Sequence, residues 1–209
     1  YRFSEDLDFT LLDLEMTNKV LESNISSLFR WLRENANLTL EIRKIDVHVS
    51  GDPAYYLNYV GPLQGQISSR FLKMDFTRSE VLAFPLQELP VLSPYSDLKE
   101  RKAQLQVYSL EEILAEKLRS LLTRAEPRDL YDIHYMLDHQ MVDIEEMKFS
   151  MSEKFTAKGF VISDLNGILE KRDKVFQRLW EGRLRGQMPE IPPLDTVMRE
   201  TNRFLQRHF

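Results

Sequence analysis

Asp6 and Asp8 are the first residues in this sequence whose type and spacing could do chemistry. They alternate with Leu7 and Phe9, and this period of two predicts a short strand with both carboxylates on one face. Two carboxylates held that close repel each other unless a counter-charge is present. A hard divalent cation such as Mg²⁺ accepts oxygen ligands and relieves the repulsion. The pair is therefore a candidate metal site, although a solvated strand edge has the same Asp-x-Asp pattern.

A third carboxylate would complete the triad of two-metal phosphoryl and nucleotidyl transfer, in which one metal holds the triphosphate and the other activates the attacking hydroxyl. Asp75 is the favoured candidate, because it lies on the polar face of a long predicted strand, opposite Leu72, Met74 and Phe76. Asp46 is the rival candidate, because it also lies opposite an apolar run. The residue pattern favours Asp75 and leaves Asp46 open.

Lys117 interrupts the apolar stripe of a predicted helix, four residues from both Ile113 and Leu121. A lysine at the margin of such a stripe commonly extends its ammonium group to solvent. Beside a carboxylate cluster that needs a phosphate partner, the same lysine is a candidate cation for triphosphate oxygens.

Arg128, Asp129 and Asp132 follow at helical spacing, so that the two aspartates are i,i+3 neighbours and Arg128 is four residues from Asp132. Acidic residues at a helix N-terminus also suit the helix dipole, which is the structural alternative. The functional hypothesis is that Asp132 orients Lys117 and that Arg128 contacts phosphate.

Cations are concentrated in a predicted helix near the C-terminus, with Phe176 and Trp180 among them. Such a helix can follow a nucleic-acid backbone and stack a base, although an amphipathic helix with core aromatics has the same pattern. The candidate RNA-binding residues are Lys171, Arg172, Lys174 and Arg178. His134 and His139 have the spacing of ordinary helix-face or helix-end residues.

The predicted strands and helices that must position these residues divide the chain into a β-containing part, 1–105, and an all-helical part, 106–209. The apolar residues of one strand change faces near Arg43 and Lys44, which predicts a β-bulge or a strong bend there. Ser109 and Glu112 form a capping box at the start of a helix, and the segment 84–94 with three prolines predicts a loop. The predicted strands are 6–9, 38–50 and 66–77, with turns at Gly51 and Gly61, and the predicted helices are 11–36, 109–122, 129–137, 143–155, 161–184 and 194–207.

Composition excludes several classes of protein. The 209 residues are 43% hydrophobic and 29% charged, which is typical of one large or two small globular domains. The absence of cysteine excludes disulfides, thiolate metal sites and cysteine nucleophiles, and four scattered histidines argue against structural zinc. No apolar run reaches the ~18 residues of a membrane span. The net charge of −5 excludes a globally basic nucleic-acid coat, and we expect a cytoplasmic protein.

These motifs resemble one family in chain order. Arg2-Phe-Ser-Glu-Asp-Leu-Asp-Phe9 is similar to the Arg-x-Ser-x-Asp-Leu-Asp-Phe signature of the AbiEii/AbiGii-type nucleotidyltransferases, which include the MenT toxins and lie within the DNA polymerase β-like superfamily. Phe71-Leu-Lys-Met-Asp-Phe76 resembles the family's strand with the third acid. Tyr108 to Lys117 resembles its lysine helix, and Pro127-Arg-Asp-Leu-Tyr-Asp132 its Arg/Lys-Asp-x-x-Asp motif. The resemblance runs to about residue 138, and beyond residue 140 it is only a helical tail of suitable length.

The resemblance implies an α+β fold, with a polymerase β-like nucleotidyltransferase core over 1–105 and a helical C-terminal domain over 106–209. It implies transfer of a nucleotide from an NTP to an acceptor, RNA and first tRNA, by the toxin of a toxin–antitoxin or phage-defence system. The cofactor would be Mg²⁺ or Mn²⁺, and the partners would be an antitoxin and RNA, with no membrane.

The resemblance also assigns roles to residues. Asp6 and Asp8 would be the metal-binding pair, and Asp75 would be a third ligand or the base for the incoming hydroxyl. Arg2 and Ser4 would shape the phosphate side of the first loop. Lys117 would hold the triphosphate, and the residues that complete the second motif would be Arg128, Asp129 and Asp132.

Two features depart from the family pattern. The family places a Gly-Ser or Gly-Gly-Thr turn well before its Asp-x-Asp pair, whereas only five residues precede Asp6 here and the chain has only seven glycines. We therefore expect that Tyr1 lies inside a longer product or that the protein is a degenerate copy. Arginine also replaces lysine in the second motif, and the gap between Arg124 and Arg128 is long.

Two other functions fit the sequence. One is a regulatory or binding protein that retains the fold without catalysis, and the other is a related phosphotransferase such as a kinase.

Overall fold

The computed structural model describes residues 2–4, 6–60, 71–78, 80–92 and 103–209. They form two compact units, one of Ser4–Glu80 and one of Val81–Phe209 together with Tyr1–Phe3. The units divide the chain after Glu80, earlier than the predicted domain boundary after residue 105. The predicted turn at Gly61 and the first part of the strand predicted over 66–77 lie outside the described residues.

The Ser4–Glu80 unit contains a four-stranded mixed sheet and one helix. The sheet order is β1-β4-β3-β2, with β1 parallel to β4 and the other neighbours antiparallel. Its elements are β1 (Asp6–Thr10), α1 (Asn18–Ala36), β2 (Thr39–Val47), β3 (Pro53–Val60) and β4 (Leu72–Thr77).

Side-chain alternation gives this sheet an apolar face and a polar face. Tyr55, Leu57, Met74 and Phe76 are buried with Leu21 and Ile25 of α1 in one cluster. The residues between them along β3 and β4 must therefore face the other side of the sheet. This other side carries Asp75, so packing of α1 fixes which side chains are available for chemistry.

The predicted bulge is confirmed. The pairing of β2 with β3 shifts register between Ile42 and Lys44, so the extra residue moves the later apolar residues of β2 to the other parity. The predicted start of the first helix at residue 11 is wrong. Thr17 is the N-cap, with its side chain accepting a hydrogen bond from the Val20 backbone N–H at 3.3 Å, so α1 begins at Asn18.

The second unit is mainly helical. Its helices pack around one cluster of buried apolar residues that draws on all five of them, and the cluster includes Leu118, Ile133, Phe155, Phe176 and Val197. Its elements are β5 (Gln87–Pro90), β6 (Gln104–Val107), α2 (Leu110–Thr123), α3 (Pro127–Asp138), α4 (Ile144–Ala157), α5 (Ile168–Leu184) and α6 (Leu194–His208).

Local sequence signals set most of these helix ends. Ser109 caps α2 by accepting from the Glu112 backbone N–H, but the Glu112 carboxylate of the predicted capping box accepts instead from the backbone N–H groups of Ala83 and Phe84. Pro127 begins α3 two residues before the predicted start, in the first helical turn, where a missing N–H costs nothing. The single helix predicted over 161–184 is wrong. A short 3-10 helix over Ile162–Leu165 ends before Gly167. Gly167 is the N-cap of α5, and its φ of +69° lies in the left-handed region, which favours glycine.

The loop predicted over 84–94 is also wrong in part. Residues 87–90 form β5, which pairs antiparallel with β6 in a separate two-stranded sheet. Prolines suggested a loop, but Pro90 is the last residue of a strand that has only one neighbour, and such edge positions tolerate a missing donor. Residues 93 and 94 lie outside the described part of the chain.

None of the helices formed by the described residues is long and apolar enough to cross a membrane.

Candidate functional site

The sheet register brings the three predicted carboxylates onto one face. Parallel pairing of β1 with β4 sets Asp8 opposite Asp75 and Asp6 opposite Lys73. Residues paired in this way project to the same side of neighbouring strands, which lie roughly 4.8 Å apart. We call these four residues, Asp6, Asp8, Lys73 and Asp75, the carboxylate face.

The two oxygens of Asp75 have different surroundings within the same unit. Lys73 donates a hydrogen bond from Nζ to Asp75 Oδ2. Oδ1 is buried, lies 3.5 Å from Nε2 of His48 and has no hydrogen-bond donor among the described residues. A buried carboxylate oxygen without a donor is poorly compensated and is suited to a cation or a proton.

Lys73 carries a firmly held positive charge. Burial lowers the pKa of its ammonium group, but the hydrogen bond and charge of Asp75, with smaller contributions from Tyr56 and Asp6, outweigh burial and raise the pKa above its usual value. Lys73 is therefore protonated throughout the physiological range, and it places a cation within the carboxylate face.

The chemistry of this donor set fits a hard divalent cation, because its ligands are carboxylate oxygens and one of them lacks a donor. The side chains are not gathered around a single point. Within the described ranges, no group of three or more His, Asp or Glu side chains is arranged so that it could hold a metal ion. In this structure the cation beside Asp75 is the ammonium group of Lys73.

Asp46, the rival third carboxylate, lies farther from the Asp6 and Asp8 strand. It pairs with Ala54, which in turn pairs with Asp75, so β3 and β4 separate Asp46 from β1. Asp46 has a partner of its own, since Lys44 Nζ lies 2.7 Å from its Oδ2. The register therefore favours Asp75 as the neighbour of Asp8.

Lys117 belongs to a second cluster, within the unit of Val81–Phe209 and Tyr1–Phe3. Its Nζ lies 2.6 Å from Asp132 Oδ2 and 3.4 Å from Asp129 Oδ1. The Asp132 side chain has no exposed surface and the Asp129 side chain only 5%. Buried carboxylates of this kind fix the position of the lysine that they bind.

Two arginines complete this group. Arg2 binds Asp132 through two hydrogen bonds of 2.8 Å and 2.6 Å, a bidentate pairing that also fixes orientation. Arg124 donates from Nε to Asp129 Oδ2 at 2.8 Å. We call the five residues the Lys117 cluster, and its members are Arg2, Lys117, Arg124, Asp129 and Asp132. Three cations surround two carboxylates there, so the cluster is net positive.

The remaining predicted site residues lie as follows. Arg128 Nε lies 3.4 Å from Glu126 Oε1. The Ser4 hydroxyl is exposed and donates to the Asp6 backbone carbonyl at 3.2 Å. In α5, Arg172 donates to the Leu122 carbonyl at 2.9 Å, whereas the exposed basic residues on its outer face are Lys171, Lys174 and Arg178.

Sequence reasoning missed Lys73 and His48, and it assigned Arg124 no firm role. Lys73 could have been found from the period of two, because it is two residues before Asp75 on one strand. His48 could not, because it follows the end of β2 and its approach to Asp75 depends on sheet order. Arg2 was named for the first loop, yet its partner Asp132 is 130 residues away in sequence.

Comparison with known families decides the class of protein. A family model described as "Nucleotidyl transferase AbiEii toxin, Type IV TA system" matches residues 1–204. The chain belongs to this family. The resemblance that the motifs suggested is confirmed, and the match extends through the helical tail beyond residue 140. The chain is therefore a nucleotidyltransferase of a toxin family.

Two solved structures have a similar fold. MenT4, a nucleotidyltransferase toxin from Mycobacterium tuberculosis H37Rv, is 17% identical with a TM-score of 0.61, over 98% of this chain and 69% of that one. JHP933 from Helicobacter pylori is 16% identical with a TM-score of 0.51, over 99% of this chain and 75% of that one. These likenesses confirm the predicted α+β nucleotidyltransferase fold. The sequence matches none of the curated proteins with which it was compared.

Proposed function

We propose that this AbiEii-family protein transfers a nucleotide from an NTP to an RNA acceptor, with tRNA the first candidate, in a reaction that uses Mg²⁺ or Mn²⁺. The observation that carries the proposal is the register of β1 and β4, which sets Asp8 beside Asp75 and Asp6 on the same face. Membership of a nucleotidyltransferase family supports nucleotidyl transfer over the kinase and non-catalytic alternatives.

In this proposal Asp6, Asp8 and Asp75 hold the metal. When bound there, a divalent metal supplies Lewis-acid stabilisation of the triphosphate and lowers the pKa of the attacking hydroxyl. Asp75 has a further role through Oδ1, the buried oxygen without a donor among the described residues, which accepts the proton of the acceptor hydroxyl. The other oxygen of Asp75, Oδ2, accepts the hydrogen bond of Lys73.

The proposed role of Lys117 is to bind the phosphates of the NTP. An ammonium group has three N–H donors, so Asp129, Asp132 and one phosphate oxygen can share it. Asp132 and Asp129 hold the lysine in place, and the bidentate pairing of Arg2 holds Asp132. Arg128 is proposed to contact phosphate from the first turn of α3.

The proposed RNA acceptor rests on the outer face of α5. Lys171, Lys174 and Arg178 are exposed and recur at i, i+3 and i+7, which places them along one side of the helix. Such a row of cations suits a phosphodiester backbone. Arg172 is not part of this row, since it binds the Leu122 carbonyl.

The proposed biological setting is a cytoplasmic toxin–antitoxin or phage-defence system. The family is a type IV toxin family, and the cognate antitoxin is a proposed partner. NTPs and tRNA, the proposed substrates, are together in the cytoplasm.

The test uses α-³²P-labelled NTPs, Mg²⁺ and total RNA, with the wild-type protein and the variants Asp8→Asn, Asp75→Asn and Lys117→Met. We expect label on RNA with the wild type and a loss of at least about a hundredfold with each variant, because each removes a proposed ligand or phosphate contact. Asp46→Asn is the matched control, a carboxylate on the same sheet with its own lysine partner, and it should retain activity.

The product identifies the chemistry. A mass increase of a nucleotide monophosphate on RNA supports the proposal. An increase of a single phosphate would favour the kinase, and labelling that survives Asp8→Asn and Lys117→Met would refute the proposed site.

A further inference from the structure

Lys73 has a position that none of the proposed catalytic roles requires. It pairs with Asp6 across β1 and β4 and donates to Asp75 Oδ2, so its ammonium group lies within the carboxylate face. Its side chain is 24% exposed, and the side chain of Asp75 is 21% exposed. A charge pair this shielded from water interacts more strongly than a surface pair.

Lys73 also changes the charge of the face. Asp6, Asp8 and Asp75 carry three negative charges when ionised, and the ammonium of Lys73 leaves two.

A second lysine provides an internal comparison. Lys44 lies with its Nζ 5.4 Å from the Tyr56 ring centroid, and Lys73 Nζ lies 5.9 Å from the same centroid. Lys44 pairs with Asp46 rather than with Asp75. The two lysines therefore share an aromatic neighbour and differ in the carboxylate that each one holds.

We propose that Lys73 is a positioning residue and a built-in counter-ion of the carboxylate face, and that it competes with the divalent metal for Asp75. This inference rests on the proposed metal role of Asp6, Asp8 and Asp75. Lys73 holds Asp75 through Oδ2, and its ammonium group would have to leave that oxygen for a divalent cation to bind there. Lys73 thereby prevents repulsion between the carboxylates and weakens metal binding.

The first experiment measures Mn²⁺ binding without nucleotide or RNA, from the free Mn²⁺ signal in electron paramagnetic resonance, for the wild type, Lys73→Met, Lys73→Arg and Lys44→Met. We expect Lys73→Met to bind Mn²⁺ about tenfold more tightly, the order of effect of removing one unit charge a few ångströms from a cation. Lys73→Arg retains the charge and Lys44→Met alters the other lysine, so both should bind within about twofold of the wild type.

The second experiment uses the wild-type protein and is independent of the folding of any variant. Magnesium is titrated into protein labelled with ¹⁵N at the lysine Nζ, and the resonances of Lys73 and Lys44 are followed. We expect the Lys73 resonance to shift as its contact with Asp75 is lost, while the Lys44 resonance stays in place.

The outcomes separate this inference from the proposed function. Metal binding that is unchanged or weaker in Lys73→Met, or a Lys73 resonance that does not move while the wild type binds metal, overturns the inference and leaves the metal site standing. Failure of all four proteins to bind Mn²⁺ overturns both.

Discussion

Asp132 is the most constrained residue of the Lys117 cluster. Its side chain has no exposed surface, Arg2 binds both of its oxygens, and Lys117 Nζ lies 2.6 Å from Oδ2. A buried carboxylate is tolerated only while its cations are present, and the cations lose their attraction when it is removed. We therefore expect Asp132 to position Lys117 and to contribute to the stability of its unit.

We predict that Asp132→Asn lowers the free energy of unfolding by about 3 kcal/mol, the range found when one partner of a buried ion pair is removed. The measurement is urea unfolding followed by circular dichroism, with a lower midpoint and an unchanged slope. Asp138→Asn is the control on the same helix, because its side chain is 62% exposed and it should change stability by less than about 0.5 kcal/mol. Equal effects of the two substitutions would contradict the role given to Asp132.

The sequence contained only part of this cluster. The spacing of Arg128, Asp129 and Asp132 on one helix made Asp132 a candidate partner for Lys117, because helix periodicity is a local property. The pairing of Arg2 with Asp132 could not be foreseen, since 130 residues separate them and only the folded unit brings them together. For the same reason, the period of two predicted which face of each strand carries its carboxylates. It could not predict that β1 and β4 are neighbours in the sheet.

At the scale of elements, α2 and α4 are joined by a buried ionic network. Lys154 of α4 has no exposed side-chain surface and lies 2.6 Å from Glu112 Oε1 and 3.1 Å from Glu116 Oε2, both on α2. Its Nζ also donates to the Val81 carbonyl at 2.9 Å, and Glu112 Oε2 accepts from the backbone N–H groups of Ala83 and Phe84. The network therefore fixes the backbone of 81–84 to two helices of the same unit.

We predict that Lys154→Met destabilises the protein by about 3 kcal/mol, because it leaves the fully buried Glu112 carboxylate without its cation. Hydrogen exchange should also accelerate at the amides of Ala83 and Phe84, which the carboxylate binds. Lys148→Met on the same helix is the comparison, since its pair with Glu145 is exposed and should contribute at most about 1 kcal/mol. An effect of Lys154→Met as small as that of Lys148→Met would show that the network is not stabilising.

The same network gives a prediction for acid stability. Burial raises the pKa of Glu116, but hydrogen bonds and charges of Arg119 and Lys154 outweigh burial and lower it from 4.5 to about 2. A depressed folded-state pKa contributes stability that is full above pH ~4.5 and is lost as the pH falls towards ~2. We predict that Glu116→Gln flattens the fall in melting temperature between pH 5 and pH 3, by differential scanning calorimetry. A wild-type slope retained in the variant would contradict it.

Predictions from sequence succeeded for elements whose signals are local and failed where the signal depends on pairing. Ser109 marks the start of α2 because a cap acts within one turn. β5 was read as a loop because it is defined by its pairing with β6, which lies farther along the chain. β3 was missed although it pairs with β2 across a short turn. Apolar residues before Thr17 continue the helical spacing of α1, so the sequence pattern predicted a start at residue 11 instead of Asn18.

At the scale of the whole molecule, one local surface is positively charged although the net charge of the chain is negative. The chain carries a formal charge of −5, yet the outer face of α5 has three exposed cations in a row. A protein that is acidic in sum can approach a nucleic acid only through such a local patch, since binding by general attraction requires the opposite sign. The proposed binding to RNA should then depend on these few residues and on salt.

We predict that replacing Lys171, Lys174 and Arg178 together by glutamine weakens RNA binding and reduces the slope of log Kd against log salt concentration by about two, because each phosphate contact on a single strand contributes about 0.7. The measurement is fluorescence anisotropy of labelled tRNA over a range of KCl concentrations. Arg199, Arg203 and Arg207 of α6 are also exposed, and their triple glutamine variant is the control because it changes the net charge equally. If both triple variants weaken binding to the same degree, net charge rather than the α5 row governs RNA binding, and the assignment of the acceptor surface to α5 is wrong.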